Sequence, residues 1–203
     1  MLNSVKELLI ATTNSGKFAE LRQMLDNPRI DLKRLDDFPS VVDVDETALS
    51  FAGNASLKAC GYALQTGVAT IADDAGLEVN ALNGRPGVLS ARYGGDTSFA
   101  EKMKLLLTEI EQSGTGDRQA RFVCSIAISD KNGTLIHSEE GVCTGTIARE
   151  PRGDGGFGYD PIFVPSGYEE TFGELRETIK REIGHRGRAF AKILPYLQHF
   201  MDV

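Results

Sequence analysis

The sequence predicts an α/β fold, because strand-like and helix-like patterns alternate along the chain. It contains no internal repeat, low-complexity tract or obvious linker. At 203 residues the chain can bury a substantial core and is long for one compact unit. We therefore expect one domain, residues 1–203, with two lobes.

In the first part of the chain, short apolar runs alternate with helical patterns. Strands are predicted over 7–12, 30–35 and 68–72, and a helix over 17–25. Ser50 is a suitable N-cap for a second helix that reaches about Gln65 and ends at Gly67. The third strand is expected to stop directly before Asp73 and Asp74, since aspartate is common in turns.

In the second part, Ser98 and Glu101 form a capping-box pattern for a helix ending near Ile110. Residues 119–150 read as three long strands, with the first hairpin turn at 131–133. Helices are predicted over 171–183 and 188–201, and Pro195 should kink or restart the second of them.

Composition limits the function classes. The chain has 22 Lys and Arg against 29 Asp and Glu, a net charge of -7, so no basic surface for polymeric nucleic acid is expected. Its three cysteines are scattered without metal-ligand spacing and are typical of buried thiols in a reducing compartment. No apolar run is long enough for a signal or membrane-spanning segment, so a cytoplasmic protein without a membrane partner is predicted.

The most informative motif is RGDGGFGYDP at residues 152–161. Glycines allow the backbone to approach a ligand, an aromatic ring can stack on a nucleobase, and an aspartate can contact a base edge. A flexible surface turn is the alternative interpretation. Strand-like segments on both sides favour a loop anchored at both ends.

A second motif, TTNSGK, lies between the first strand and the first helix and spans Thr12 to Lys17. A helix N-terminus with a nearby lysine can bind an anion. The motif is not a Walker A loop, because the first glycine is missing and Phe18 replaces the Ser or Thr that binds magnesium. An ordinary strand-to-helix turn is equally compatible with it.

Adjacent carboxylates provide a third candidate. Strand alternation would direct Asp73 and Asp74 to opposite faces, so that one serves a site and the other is structural. An acidic cluster that includes Glu46 could supply a second carboxylate for Mg²⁺, which prefers one or two carboxylates plus phosphate oxygens. A solvated acidic loop is the alternative for that cluster.

A fourth candidate joins Lys180 with the sequence Gly184-His185-Arg186-Gly187, predicted as a turn between two helices. Arginine can pair bidentately with a ring carbonyl and nitrogen or with phosphate. A solvated basic face is the alternative. His137 and His199 lack partner motifs and are interpreted as structural.

Together these motifs resemble the inosine triphosphate pyrophosphatase family, which hydrolyses non-canonical purine nucleoside triphosphates. The resemblance covers nearly the whole chain. Its carriers occur in order: TTNSGK, ETALSFAGNASLKA, IADDAGLEV, RPGVLSARYGG, GGFGYDPIF and IGHRGRA. It implies an elongated mixed sheet with flanking helices that form two lobes around a nucleotide cleft, together with Mg²⁺ dependence and a homodimer.

The resemblance also implies roles for individual residues. Asp74 would activate water and, with Glu46, hold the metal. Arg92 is a weaker transfer and could instead be structural. The implied substrate-binding residues are Thr12, Thr13, Asn14, Ser15, Gly16, Lys17, Lys58, Ala75, Phe157, Gly158, Tyr159, Asp160, Lys180, His185 and Arg186.

Four positions depart from the family pattern: Thr13 and Gly184 replace a glycine and a serine, Gly53 a glutamate, and Ala75 a serine. Two other functions stay open at this point. One is pyrophosphatase activity on pyrimidine or other modified nucleotides, as in the distantly similar septum-inhibition family. The other is nucleotide binding without turnover.

Overall fold

The structure is a computed structural model that describes residues 5–202. Six strands form one mixed sheet in the order β2-β1-β3-β4-β5-β6. β1 pairs in parallel with β2 and β3, and β5 pairs antiparallel with β6. The strands are β1 Lys6–Ile10, β2 Ile30–Arg34, β3 Thr70–Val79, β4 Gln119–Ser129, β5 Leu135–Ile147 and β6 Phe163–Pro165.

Five α-helices accompany the sheet, which confirms the α/β fold class. They are α1 Ser15–Met24, α2 Phe51–Thr66, α3 Phe99–Gln112, α4 Glu177–Ile183 and α5 His185–Met201. Within residues 5–202 no helix is both long enough and apolar enough to cross a membrane.

The caps predicted from sequence are present. The Ser50 side chain accepts a hydrogen bond from the Gly53 N–H at the start of α2, and Gly67 ends that helix in the left-handed conformation. Ser98 and Glu101 form the capping box of α3. The turn at 131–133 also lies as predicted, between β4 and β5.

The chain divides into two compact units. Unit 1 contains residues 1–74, 124–141 and 186–203, and unit 2 contains residues 75–123 and 142–185. In unit 1, small side chains of α2 pack on the sheet around Leu9, Ala72 and Ala127. In unit 2, the core is richer in aromatic residues and includes Phe122, Phe163 and Phe172.

Four sequence predictions are wrong in detail. β3 does not stop before the aspartates but continues to Val79, because the carboxylates are paired with cations and can be buried. Residues 119–150 form two strands, not three. α4 begins at Glu177, after a segment 171–176 that is not helical.

The last correction concerns the C-terminal helix. α5 begins at His185, so that His185 and Arg186 belong to its first turn and not to an interhelical loop. The helix then continues through Pro195 without restarting.

Candidate functional site

Asp73 and Asp74 lie in the middle of β3 in unit 1, and both side chains are almost fully buried. They have separate sets of partners, as strand alternation predicts for adjacent residues. Asp73 contacts Lys17 and Arg186, whereas Asp74 contacts Lys58 and Asn54. The two carboxylates therefore have different electrostatic environments.

Asp73 belongs to a buried ion-pair network. Its Oδ2 lies 3.2 Å from Lys17 Nζ and accepts hydrogen bonds from Arg186 Nε at 3.1 Å and Nη2 at 2.9 Å. Arg186 Nη1 also donates to Glu20 Oε2 on α1. Burial acts to raise the pKa of Asp73, but Lys17 and Arg186 outweigh it and hold that pKa well below its usual value. Asp73 is therefore a fixed anion.

Asp74 has the opposite pKa shift. Burial raises its pKa above the ordinary value, while Lys58 and Lys17 oppose that effect. Its Oδ2 accepts from Asn54 Nδ2 at 3.2 Å, and its Oδ1 lies 3.5 Å from Lys58 Nζ. A carboxylate with a raised pKa is a stronger base than an ordinary aspartate, and this suits Asp74 for accepting a proton from water.

Lys58 lies between two acidic side chains. Its Nζ is 2.8 Å from Glu46 Oε1 and 3.5 Å from Asp74 Oδ1. Burial lowers the pKa of Lys58, but the carboxylates Asp74, Asp73 and Glu46 outweigh that effect and raise it overall. The ammonium is therefore firmly charged and holds Glu46 close to Asp74.

The carboxylates of Glu46 and Asp74 provide part of the coordination shell that a divalent metal needs. Both reach one cation position, now taken by Lys58 Nζ, and oxygen donors of this kind suit Mg²⁺ when phosphate oxygens complete the shell. Across the described residues, no group of three or more His, Cys, Asp and Glu side chains could hold a metal ion. The donor set thus fits a metal that is bound together with a phosphate ligand.

The TTNSGK segment forms a tight cap at the start of α1. Asn14 Oδ1 accepts from the Gly16 N–H at 2.9 Å and the Lys17 N–H at 3.1 Å, and Thr12 Oγ1 accepts from the Asn14 N–H at 3.2 Å. Two backbone donors expected to face an anion are thus capped internally. Thr13 and Ser15 are exposed, and Lys17 extends to Asp73.

In unit 2, three residues of the glycine-rich loop motif and α4 lie together. Asp160 Oδ2 accepts from Lys180 Nζ at 2.6 Å and from the Phe157 N–H at 2.7 Å. Lys180 Nζ lies 4.4 Å from the centroid of the half-buried Phe157 ring, in cation–π contact. Gly158 has a φ of +67°, a conformation that favours glycine.

Tyr159 and His185 are placed in the core of unit 2. The Tyr159 hydroxyl donates to the Ser90 carbonyl at 3.0 Å, and its ring meets Phe99 edge to face. The His185 ring stacks on Phe122 with centroids 4.6 Å apart. Tyr159 anchors the loop from beneath, a role that its position in the motif did not reveal.

At two of the four positions that depart from the family pattern, Gly53 and Gly184, an added side chain would meet neighbouring atoms. A Cβ on Gly53 would lie 2.5 Å from the Cβ of Ala48, so a larger side chain there would require the segment before α2 to move. A Cβ on Gly184 would overlap the carbonyl oxygen of Lys180. Nothing in the structure explains Thr13, and Ala75 is half-buried within β3.

Sequence reasoning missed Asn54 and Glu20. Asn54 is buried in the first turn of α2 and joins the Ala48 N–H to Asp74. Glu20 follows Lys17 by three residues on α1, a spacing that places both on one helix face. That spacing was a usable signal for Glu20, whereas a buried asparagine can be recognised only from tertiary contacts.

The chain is similar to known proteins over most of its length. The Ham1 family model matches residues 8–196. The chain belongs to the Ham1 family. A Ham1 relative from Nostoc sp., named dITP/XTP pyrophosphatase, is 45% identical over 190 residues, covering 94% of this chain and 93% of the relative.

Two further proteins, a sequence relative and a solved structure, are similar to this chain. A dITP/XTP pyrophosphatase from Desulforamulus reducens is 44% identical, covering 94% of this chain and 95% of its own. The solved structure of a HAM1 protein from Coxiella burnetii superposes with a TM-score of 0.87 at 40% identity, covering 96% of this chain and 99% of that one. The Ham1 fold is therefore shared over nearly the full length.

Proposed function

We propose that this chain hydrolyses non-canonical purine nucleoside triphosphates, namely ITP, dITP and XTP, to a nucleoside monophosphate and pyrophosphate. The observation that carries the proposal is the cluster of buried Asp74 and Lys58 with half-buried Glu46, which combines a basic carboxylate with an ammonium. The relatives from Nostoc sp. and Desulforamulus reducens are named dITP/XTP pyrophosphatases, which supports the same reaction.

In the proposed reaction, Asp74 orients a water molecule and accepts its proton as the water oxygen attacks the α-phosphorus. The bond between the α-phosphorus and the bridging oxygen then breaks, and pyrophosphate leaves with the electron pair. Lys58 and Lys17 stabilise the negative charge of the phosphates. Asp73 keeps Lys17 and Arg186 in place throughout.

We propose Mg²⁺ as the cofactor, held by Glu46 and Asp74 together with substrate oxygens. Such an ion would neutralise charge that develops on the leaving pyrophosphate. The carboxylates contribute the binding oxygens, and Lys58 sets their spacing before the ligand arrives.

We assign base recognition to the glycine-rich loop with Lys180, His185 and Arg186. The half-buried Phe157 ring offers a stacking surface, and Asp160 and Lys180 are already paired beneath it. Donors at the 6-keto edge would leave the amino group of adenine unpaired and so disfavour ATP. For Arg186 this role competes with its bonds to Asp73 and Glu20, which makes it the assignment most in need of a test.

The remaining assignments stay predictions: substrate contacts at Thr12, Thr13, Asn14, Ser15, Gly16, Ala75, Gly158 and Tyr159, a single domain with two lobes, a homodimer, a cytoplasmic location, and no nucleic-acid or membrane partner.

A substrate panel with Mg²⁺ tests the function. We expect ITP, dITP and XTP to give pyrophosphate, with kcat/KM for ATP and GTP lower by about a hundredfold, equivalent to roughly 2.7 kcal/mol. Inosine diphosphate with orthophosphate as the initial products would contradict the proposed site of attack. Preference for pyrimidine triphosphates would favour the other pyrophosphatase function, and tight ITP binding without pyrophosphate release would favour a regulator.

A further inference from the structure

The glycine-rich loop, residues 152–160, rests on a second segment of unit 2 that has no assigned role. This segment, the support turn, comprises residues 171–174. Thr171 Oγ1 donates to the Arg152 carbonyl at 2.7 Å, and the Gly155 N–H donates to the Gly173 carbonyl at 2.8 Å. The Gly173 N–H in turn donates to the Asp160 carbonyl at 3.1 Å. The support turn therefore contacts the loop at its start, middle and end.

The two backbones are in direct contact. A Cβ on Gly153 would overlap the carbonyl of Gly173, and a Cβ on Gly173 would lie 2.6 Å from the Arg152 carbonyl oxygen. Gly153 also has a φ of +77°, which a larger residue rarely adopts. This approach leaves no room for a side chain between loop and turn.

The support turn is itself fixed to the core. Phe172 is 1% exposed, packs against Phe122 and Phe163, and donates its N–H to the Phe163 carbonyl at 2.9 Å. The Thr171 N–H donates to Glu174 Oε2 at 2.8 Å. The turn is thus a rigid platform, whereas residues 153–156 of the loop are exposed and three of those four are glycine.

We propose that the support turn positions the loop for base binding, with Thr171 as the principal positioning residue. This inference rests on the proposed role of the loop in recognising the base. A glycine-rich loop without support loses conformational entropy when it orders around a ligand. The hydrogen bond from Thr171 Oγ1 to the Arg152 carbonyl orders part of the loop before the ligand binds, so less conformational entropy is lost on binding. Substrate affinity then depends on Thr171, although Thr171 is fully buried.

The test replaces the Thr171 hydroxyl with a methyl group of similar size. We expect Thr171→Val to raise KM for ITP about tenfold with kcat changed less than about twofold, because a displaced loop weakens binding of the ground state and the transition state alike. Thr171→Ser retains the hydroxyl and should restore KM. Inhibition by inorganic tripolyphosphate, which has no base, should be unchanged in both variants.

Thr66→Val is a matched control, because Thr66 Oγ1 donates to the Tyr62 carbonyl at 2.8 Å in unit 1. It should leave KM for ITP as in the wild type. If Thr171→Val fails to fold, Glu174→Ala at an exposed position removes both the acceptor of the Thr171 N–H and the ion pair with Arg152 Nε at 3.5 Å, and it should raise KM in the same direction.

Phe157→Ala distinguishes the base-recognition role of the loop from the positioning role of Thr171. If Phe157→Ala leaves KM unchanged, the base-recognition role of the loop is wrong. If Phe157→Ala raises KM while Thr171→Val does not, only the positioning role is wrong. An equal loss of affinity for ITP and for tripolyphosphate in Thr171→Val would also overturn the positioning role, since it would indicate general damage. If Thr171 positions the loop as proposed, hydrogen exchange at the Gly155 amide should be faster in Thr171→Val than in the wild type.

Discussion

At the scale of single residues, the contrast between Asp73 and Asp74 supports the proposal that Asp74 carries the chemistry and that Asp73 is structural. Asp73 faces two cations and has a lowered pKa. Asp74 faces one ammonium and one amide and has a raised pKa. The side chain that can take up a proton is therefore Asp74, and the two aspartates should respond differently to the same substitution.

For Asp74→Asn we expect kcat to fall by about 10² to 10⁴, the usual effect of removing a general base, with the fold retained. The amide can still accept from Asn54 and is of equal size, so circular dichroism should match the wild type. Steady-state kinetics with ITP measure the effect. Wild-type kcat in this variant would rule out Asp74 as the base.

Arg186 allows a sharper experiment, because its guanidinium is already bonded to Asp73 and Glu20. If it also donates to the 6-keto edge of the base, Arg186→Ala should lower the ITP-to-ATP ratio of kcat/KM by about tenfold or more, from a charge-assisted bond of about 1.5 to 3 kcal/mol. If it serves only the ion-pair network, both substrates should be affected equally. An unchanged ratio would remove Arg186 from the base site.

At the scale of elements, β3 carries a buried charge network that depends on pH. Because the pKa of Asp73 is lowered on folding, its contribution to stability is present above its unfolded pKa of about 3.9 and is lost as pH falls through its lower folded value. Asp73→Asn should reduce the free energy of unfolding at pH 7 by about 3 to 5 kcal/mol, because Lys17 and Arg186 lose their shared anion.

Urea unfolding at several pH values measures this. The difference between wild type and Asp73→Asn should be largest near neutral pH and should shrink below about pH 4, where the carboxylate begins to take up a proton in the unfolded state while it remains ionised in the folded state. A difference that is constant down to pH 2 would show that the ion pairs are not its cause.

Local sequence signals located the capped helices α2 and α3 better than the starts of α4 and α5 or the end of β3. Ser50, Gly67 and the Ser98 capping box act through nearest neighbours, so the sequence contains the whole interaction. The continuation of β3 past Asp74 depends on Lys17, Lys58 and Arg186, which come from three separate helices. At Asp73 and Asp74, charge pairing overrides the tendency of aspartate to form turns, and no local sequence pattern indicates this pairing.

The predictions for the candidate site divide in the same way, into features that local motifs indicate and features that depend on tertiary contacts. The resemblance assigned Lys58, Asp74, Asp160 and Lys180 to the site, but it did not predict that Lys58 pairs with Asp74 and Lys180 with Asp160. It did not predict that Tyr159 points into the core towards Ser90, because alternation within an irregular loop is not periodic. The support turn also escaped notice, since two of its bonds with the glycine-rich loop join backbone atoms, and the Thr171 hydroxyl donates to a backbone carbonyl that leaves no sequence signature.

At the scale of the whole molecule, three of the six strands contribute residues to both compact units. β3, β4 and β5 each continue from one unit into the other, and all belong to one hydrogen-bonded sheet. We therefore expect a single unfolding transition, with calorimetric and van't Hoff enthalpies that agree. Two resolved transitions in differential scanning calorimetry would contradict the single-domain prediction.

The position of Lys58 between Glu46 and Asp74 also sets an order of events. Before any nucleotide arrives, this ammonium acts as an internal counterion, so free Mg²⁺ must compete with it for the same oxygens. If Lys58 binds the phosphates as proposed, a triphosphate should reverse that competition, because it would draw Lys58 towards its own oxygens and supply further metal ligands. The enzyme should therefore take up metal and nucleotide together as one complex. Calorimetric titration should show weak Mg²⁺ binding to the free protein and tight binding only with a non-hydrolysable triphosphate present.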